Sequence, residues 1–132
     1  MSGIKELETL LQSMSPKLQA GEFVFCTVEK ALSEVVPLQP IATFMEQEGL
    51  TVIVEKQQAE QANLEFDGVF KLITLTVHSS LDAVGLTAAV ATKLAEHGIS
   101  ANVVAAFYHD HIFVQTDKAE QAMAALKEFA NI

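Results

Sequence analysis

From residue 69 onward the hydrophobic pattern alternates between two periods, and the order of that alternation is the strongest constraint on the fold. VFKLITLTVH (69–78) repeats every second residue, which sets Ile73, Leu75 and Val77 on one face and Leu72, Thr74, Thr76 and His78 on the other. Residues 81–97 carry Leu86, Val90 and Leu94 at helical spacing, with Ala83 and Ala89 beside them and Gly98 as the stop. ANVVAAFY (101–108) and HIFVQT (111–116) read as strands joined by His109-Asp110, a two-residue hairpin connection. Asp117 then opens a helix, with Glu120 as its capping-box partner. Ala119, Ala122, Met123, Leu126 and Phe129 are its buried stripe. The order is β-α-β-β-α. A split βαβ unit needs one more strand, and that strand has to come from the first half of the chain or from another chain.

The first half has a similar rhythm. GEFVFCTVE (21–29) reads as a strand. Pro37 and Pro40 break any long helix over 30–40. IATFMEQEG (41–49) reads as a short helix with Gly49 as its C-terminal cap, and LTVIVEK (50–56) as a strand. QQAEQANL (57–64) makes a turn or two of helix, and Phe66-Asp67-Gly68 makes a turn. Ahead of all this, Ile4, Leu7, Leu10 and Leu11 recur at helical spacing. The acidic residues Glu46, Glu48, Glu55, Glu60 and Glu65 read as a solvated face.

Composition narrows the function classes. A chain of 132 residues, half of them hydrophobic, fills one compact domain or two very small ones. No apolar run approaches the roughly 18–20 residues of a membrane span, so no membrane partner is expected. MSGIKELETLLQSM lacks the basic and apolar regions of a secretory leader. The single cysteine, Cys26, excludes an internal disulfide, and a reducing cytoplasm is expected. The net charge is −9 and there is no arginine. Such a chain repels a phosphate backbone and lacks the usual bidentate reader of guanine, so nucleic acid is not expected as a partner. A small carboxylate would have to be held by lysine, hydroxyls or backbone N–H groups.

The stretch HSSLDAVGL (78–86) invites two chemical readings. A Ser/His/Asp triad needs a serine within hydrogen-bond reach of a histidine. His78 and Ser79 are neighbours at a strand end and point to opposite faces, and there is no G-x-S-x-G elbow, so no catalytic residue is assigned. A second reading, a metal site in YHDHIFV, rests on His109, Asp110 and His111. His97 is at the end of the other helix, and Cys26 sits in an apolar strand. A polar hairpin tip is the simpler account, so no metal and no cofactor are expected. Phe107 and Tyr108 read as core or interface.

The turn Asp82-Ala83-Val84-Gly85, the apolar helix through Leu86, Val90 and Leu94, the Gly98-Ile99 entry to the next strand and the nearby Asn102 together resemble the ACT-domain family. Val84 stands where many ACT domains carry proline. FVFCTV and ATFMEQEGLTVIV resemble the first of two tandem ACT units. The resemblance implies an α+β chain of two ferredoxin-like βαββαβ-type units sharing strands, with antiparallel sheets and helices on one face. The first unit would be 1–68, with the N-terminal helix, and the second 69–132.

The resemblance also implies a non-catalytic regulatory or sensor module that binds a small molecule, a free amino acid, near a domain interface. The expected ligand segment is Ser79, Ser80, Asp82, Val84, Gly85 and Leu86, with Asn102. The amides at the start of the helix could hold a carboxylate, Asp82 or Asn102 an ammonium group, and Ser79 and Ser80 could add hydroxyls. Asp82 or Ser79 could equally be a helix cap, and Asn102 a loop anchor. His78, His109 and His111 are accessory candidates. A homodimer or higher homo-oligomer is expected, because an uncovered edge strand invites pairing. So is a regulated protein partner, since any output must pass through another protein or through assembly. The alternative is a structural or protein-interaction domain with no ligand.

Overall fold

The computed structural model describes residues 3–77 and 85–131. In chain order the elements are helix α1 (Gly3–Gln12), strands β1 (Pro16–Leu18) and β2 (Phe23–Val28), and two 3-10 turns, Leu32–Glu34 and Val36–Leu38. Strands β3 (Ala42–Glu46) and β4 (Gly49–Glu55), helix α2 (Lys56–Gln61) and strand β5 (Phe70–Leu75) follow. Helix α3 (Leu86–Glu96), strands β6 (Asn102–Ala105) and β7 (Asp110–Gln115), helix α4 (Ala119–Lys127) and a 3-10 turn, Glu128–Asn131, complete the described chain. The chain divides into two compact units, one of Met1–Ala20 with Lys71–Ile132 and the other of Gly21–Phe70.

In the larger unit the strands run in the order β1-β5-β7-β6. The strand missing from β-α-β-β-α is β1, which pairs antiparallel with β5 through Pro16↔Leu75, Lys17↔Thr74 and Leu18↔Ile73. β6 and β7 pair antiparallel from Asn102↔Phe113 to Ala105↔Asp110. The alternation read from the sequence sorts the two faces. Ile73, Leu75, Ile112 and Val114 meet Leu86, Val90 and Leu94 of α3 and Ala119, Ala122, Ala125 and Leu126 of α4 in one buried cluster. Leu11 and Met14 bring α1 and its following turn into the same cluster. Each fully buried leucine or isoleucine there contributes about 1.5–3 kcal/mol.

The smaller unit is built around β3-β4-β2. β4 pairs antiparallel with β2 on one side, Val24↔Val54 and Cys26↔Val52 among the pairs, and with β3 on the other. Phe70 pairs with Phe23, and the Phe70 and Phe25 rings meet edge to face at 5.2 Å. Val24, Cys26, Val28, Leu50, Val52 and Val54 share one face and pack with Val35 and Ala59. A single short helix and two 3-10 turns, the second containing Pro37, stand where the larger unit has α3 and α4.

Several local expectations are corrected. Residues 41–49 do not form a helix capped by Gly49. Ala42–Glu46 is a strand, and Gly49 opens the next strand after the turn at Gln47-Glu48. Thr43 and Phe44 sit opposite β4, and cross-strand pairing overrides the weak helical spacing. A Cβ at position 49 would lie 2.8 Å from Thr27 Oγ1, which is why a glycine stands there. The β6–β7 connection is Ala106–His109, closed by the Ala106 N–H donating to the His109 carbonyl at 3.1 Å, and Asp110 is the first residue of β7. Asp117 does not open α4. It lies in a 3-10 turn, Thr116–Lys118, and no side chain caps that turn or α4, so the capping box with Glu120 does not form.

Candidate functional site

The expected ligand segment lies directly ahead of α3 in the chain. His78, Ser79, Ser80, Asp82 and Val84 lie outside the described residues. What is described begins at Gly85, with φ 104° and ψ −26°. That backbone conformation is open to glycine and strained for side chains. It places the helix start at Leu86, and the first helical bond runs from the Ala89 N–H to the Gly85 carbonyl at 2.8 Å. The N–H groups of Leu86, Thr87 and Ala88 therefore have no partner within the helix. No side chain caps them among the described residues. These amides carry the positive end of an eleven-residue helix.

The space beside Gly85 is not open on every side. A Cβ there would come within 3.0 Å of Leu7 Cδ2, because α1 packs across the start of α3. Leu7, Gly85, Ala88, Ala89, Lys93 and Phe129 line a groove of about 560 Å³ along α3. Lys93 is the cation in it. Its Nζ is 2.6 Å from Glu128 Oε1 and 5.6 Å from the centre of the Phe129 ring. That ion pair holds the Glu128 carboxyl below the usual carboxylate range.

Asn102 starts β6 and is exposed, and its side-chain amide donates to the Phe113 carbonyl at 3.2 Å. It anchors the end of the β6–β7 ladder. Leu86 is buried in the core, so only its backbone is offered to a ligand.

The histidines form a separate group on the β5–β7 side. His111 Nδ1 is 2.9 Å from Thr74 Oγ1, and the Gln19 amide donates to the same oxygen at 3.0 Å. The Thr74 hydroxyl thus accepts from Gln19 and shares a second hydrogen bond with the His111 ring. Burial pushes the His111 pKa below the ordinary 6.5. Neighbouring His109 adds to the fall and Asp110 opposes it. His109 Nδ1 lies 3.4 Å from the Val77 carbonyl. Among the described residues no group of three or more His, Cys, Asp or Glu side chains could hold a metal ion. Cys26 is buried, and burial raises its thiol pKa, so it is an inert core residue.

Thr74 as the partner of His111, and Gln19 as the partner of Thr74, carry no local signal in the sequence, though the strand alternation puts Thr74 on the face opposite Ile73 and Leu75. The packing of Leu7 against Gly85 carries none either, since the two lie far apart in sequence. Phe107 and Tyr108 are 72% and 65% exposed at the hairpin tip, stacked edge to face at 5.0 Å, and are not core residues.

The family models settle what the strand order suggests. Residues 2–71 match one ACT-domain model and residues 70–128 match a second. The chain belongs to the ACT-domain family. It is an α+β regulatory module of two ACT domains in tandem, and both matching families are non-catalytic. A Vibrio cholerae protein of unknown function, described as a possible transport protein, is 68% identical over 98% of this chain and 99% of its own, with a TM-score of 0.91. An Agrobacterium tumefaciens protein shares the fold at 17% identity, covering 87% of each chain, with a TM-score of 0.69. The ligand-free regulatory subunit of Thermus thermophilus aspartate kinase does so at 10% identity over 88% of this ACT chain and 97% of its own, with a TM-score of 0.62. No curated protein matches the sequence. Among the described residues no helix is long and apolar enough to cross a membrane.

Proposed function

We propose that this tandem ACT module, with units 1–68 and 69–132, is a cytoplasmic sensor. It binds a free amino acid in the loop Ser79–Leu86, near a domain seam, and passes the signal to a protein partner. The observation that carries the reading is the start of α3: a left-handed Gly85 followed by amides with no helical partner, at the turn where the ACT pattern sets its ligand loop. In a chain without arginine these amides are the best available seat for an α-carboxylate. Asp82 would take the ammonium group. Asn102 would do so only by giving up its bond to Phe113.

The test is a thermal-shift screen of the twenty amino acids at millimolar concentration. A ligand at a hundredfold excess over its Kd adds about 2.7 kcal/mol to the folded state, a rise of several degrees in a domain this small. Asp82→Ala should abolish the rise. Gly85→Val is a poor probe, because Leu7 and the backbone strain confound it. If no amino acid raises the melting temperature, or if Asp82→Ala leaves the rise intact, the loop is only a helix entry. The reading of a ligand-free assembly domain then stands. One observation already favours an assembly role beside sensing: the exposed apolar residues of the smaller unit.

A further inference from the structure

Among the described residues one buried side-chain oxygen or nitrogen has no hydrogen-bond partner, the hydroxyl oxygen of Thr116. Leaving such an atom unpaired is costly, and it asks for a reason. Thr116 opens the 3-10 turn Thr116–Lys118, which runs directly into the nine-residue helix α4. The first bond of the turn goes from the Ala119 N–H to the Thr116 carbonyl, so the N–H groups of Asp117 and Lys118 have no partner within the helix they open. No side chain caps them among the described residues. The same turn is one wall of a cleft of about 570 Å³ in the larger unit, and Leu18 of β1 and Lys71 of β5 stand across from it. Lys71 and Lys118 are both half-buried, and neither has an ion pair among the described residues. A lysine drawn partly out of water is ordinarily neutralised by a neighbour, as Lys93 is by Glu128. The chain has seventeen acidic residues to its eight lysines, so partners are not scarce. The two acids of the cleft, Asp117 and Glu120, are exposed.

We propose that this cleft binds a small phosphate monoester, with the phosphoryl group seated between Lys71 and Lys118 on the opening turn of α4. Donors reach the cleft from separate pieces of chain: an ammonium group from β5, another from the turn, and the amides and the Thr116 hydroxyl at the helix start. A tetrahedral phosphoryl group accepts from several directions at once. A planar carboxylate is best matched by a guanidinium fork, and the chain has no arginine. Lysine binds phosphate as a point charge, and the start of a helix favours an anion there. Two ammonium groups balance the charge of a monoester, which is close to −2 at neutral pH. The Thr116 hydroxyl gains the acceptor it lacks. Leu18, 37% exposed, supplies an apolar wall for the organic part of the ester. Size is limited by charge. Asp117 and Glu120 at the rim, on a chain of net charge −9, repel a polyanion, whereas a single phosphoryl group passes between them to the lysines.

The proposal does not rest on amino-acid binding at α3, and its test separates the two sites. Inorganic phosphate and phenyl phosphate, titrated into the intact chain at constant ionic strength, should each raise the melting temperature in a saturable way. The ester should do so at lower concentration, because Leu18 receives its ring. Sodium chloride should give no such rise. Lys71→Gln and Lys118→Gln should each weaken the phenyl phosphate Kd by about tenfold or more. Lys127→Gln, the same change of charge at the far end of α4, should leave that Kd unchanged, and so should Asp82→Ala. Thr116→Val keeps the shape of the side chain and removes the unpaired hydroxyl. It should weaken binding by about fivefold and raise the melting temperature of the free protein, two effects of opposite sign that a purely structural threonine would not give. The absence of a saturable rise, an equal loss in Lys127→Gln and Lys71→Gln, or a Thr116→Val chain that binds like the wild type would each overturn the proposal. A Kd that moves in Asp82→Ala would overturn it as well, since the phosphate would then sit at the start of α3.

Discussion

The two compact units share a fold family and differ in how they close it. The larger lays three helices on one sheet face and buries fifteen residues in a single cluster. The smaller covers its sheet with one two-turn helix and a proline-bearing loop, and its cluster has eight. The difference follows from the segment after β5 in the larger unit and after β2 in the smaller. In the larger unit that segment is alanine- and leucine-rich and becomes α3. In the smaller it carries Pro37 and Pro40, which remove backbone donors and leave 3-10 turns. The unit with the helix has free N-terminal amides to offer a ligand. The unit without it ends in β3, whose Phe44 and Met45 are exposed. One family fold thus yields two kinds of surface, according to whether one crossover is helical.

The sharpest way to break this comparison is through the cores. Leu94→Ala empties a fully buried site in the larger unit and should cost about 3–4 kcal/mol in urea denaturation. Val35→Ala, the equivalent change at the buried anchor of the smaller unit's loop, should cost about 2 kcal/mol. Equal losses would mean that the loop holds its sheet as firmly as α3 does. Next in size is Gly85→Ala. The strained backbone and the 3.0 Å approach to Leu7 should together lower stability by about 1–3 kcal/mol. Loosening by Leu7→Ala should return part of that loss, a coupling that a double-mutant cycle would measure.

A smaller effect concerns His111. The unfolded chain takes up a proton at the ordinary histidine pKa of 6.5, whereas burial defers that uptake in the folded chain to lower pH. Below pH 6.5 the unfolded state therefore binds more protons, and stability falls with pH. Melting temperatures between pH 7.5 and 5.5 should decline in the wild type and decline less in His111→Gln. The same slope in both would remove His111 from the account. The smallest effect is that of Glu128→Gln, which breaks an ion pair with Lys93 whose carboxylate end is largely in water. Its melt should be close to wild type at moderate salt, and a clear loss would show that the groove beside α3 depends on that contact.

The periodic elements were legible in the sequence because periodicity is local. β5, α3, β7 and α4 could be read from their own residues, and so could the need for one more strand. The source of that strand could not. Pro16–Leu18 has three residues, no β-branched side chain and an exposed leucine, and it is a strand only because β5 lies beside it. β3 was misread for a related reason. IATFMEQEG carries weak helical spacing, and its pairing with β4 decides the outcome. At the candidate site, the start of α3 was legible from glycine and the apolar stripe. The contacts of Gly85 with Leu7, of His111 with Thr74 and of Thr74 with Gln19 were not, since each joins residues distant in the chain.

That α1 and β1 precede the strands and helices they pack with has a consequence for biosynthesis. Gln19 waits for Thr74, its partner 55 residues later, and Pro16–Leu18 waits for the strand that follows Phe70. A ribosome adding roughly 5–20 residues per second therefore finishes residues 21–70 while the N-terminal segment still has nothing to pack against. The smaller unit can fold early as a loop of chain whose two ends both belong to its neighbour. A nascent chain arrested near residue 70 would display the apolar stripe of α1 with no core to receive it. Incomplete products would in that way advertise themselves to chaperones and proteases. Made separately, fragment 71–132 should fold poorly and fragment 1–70 should be ordered only over 21–70, and mixing them should restore the structure.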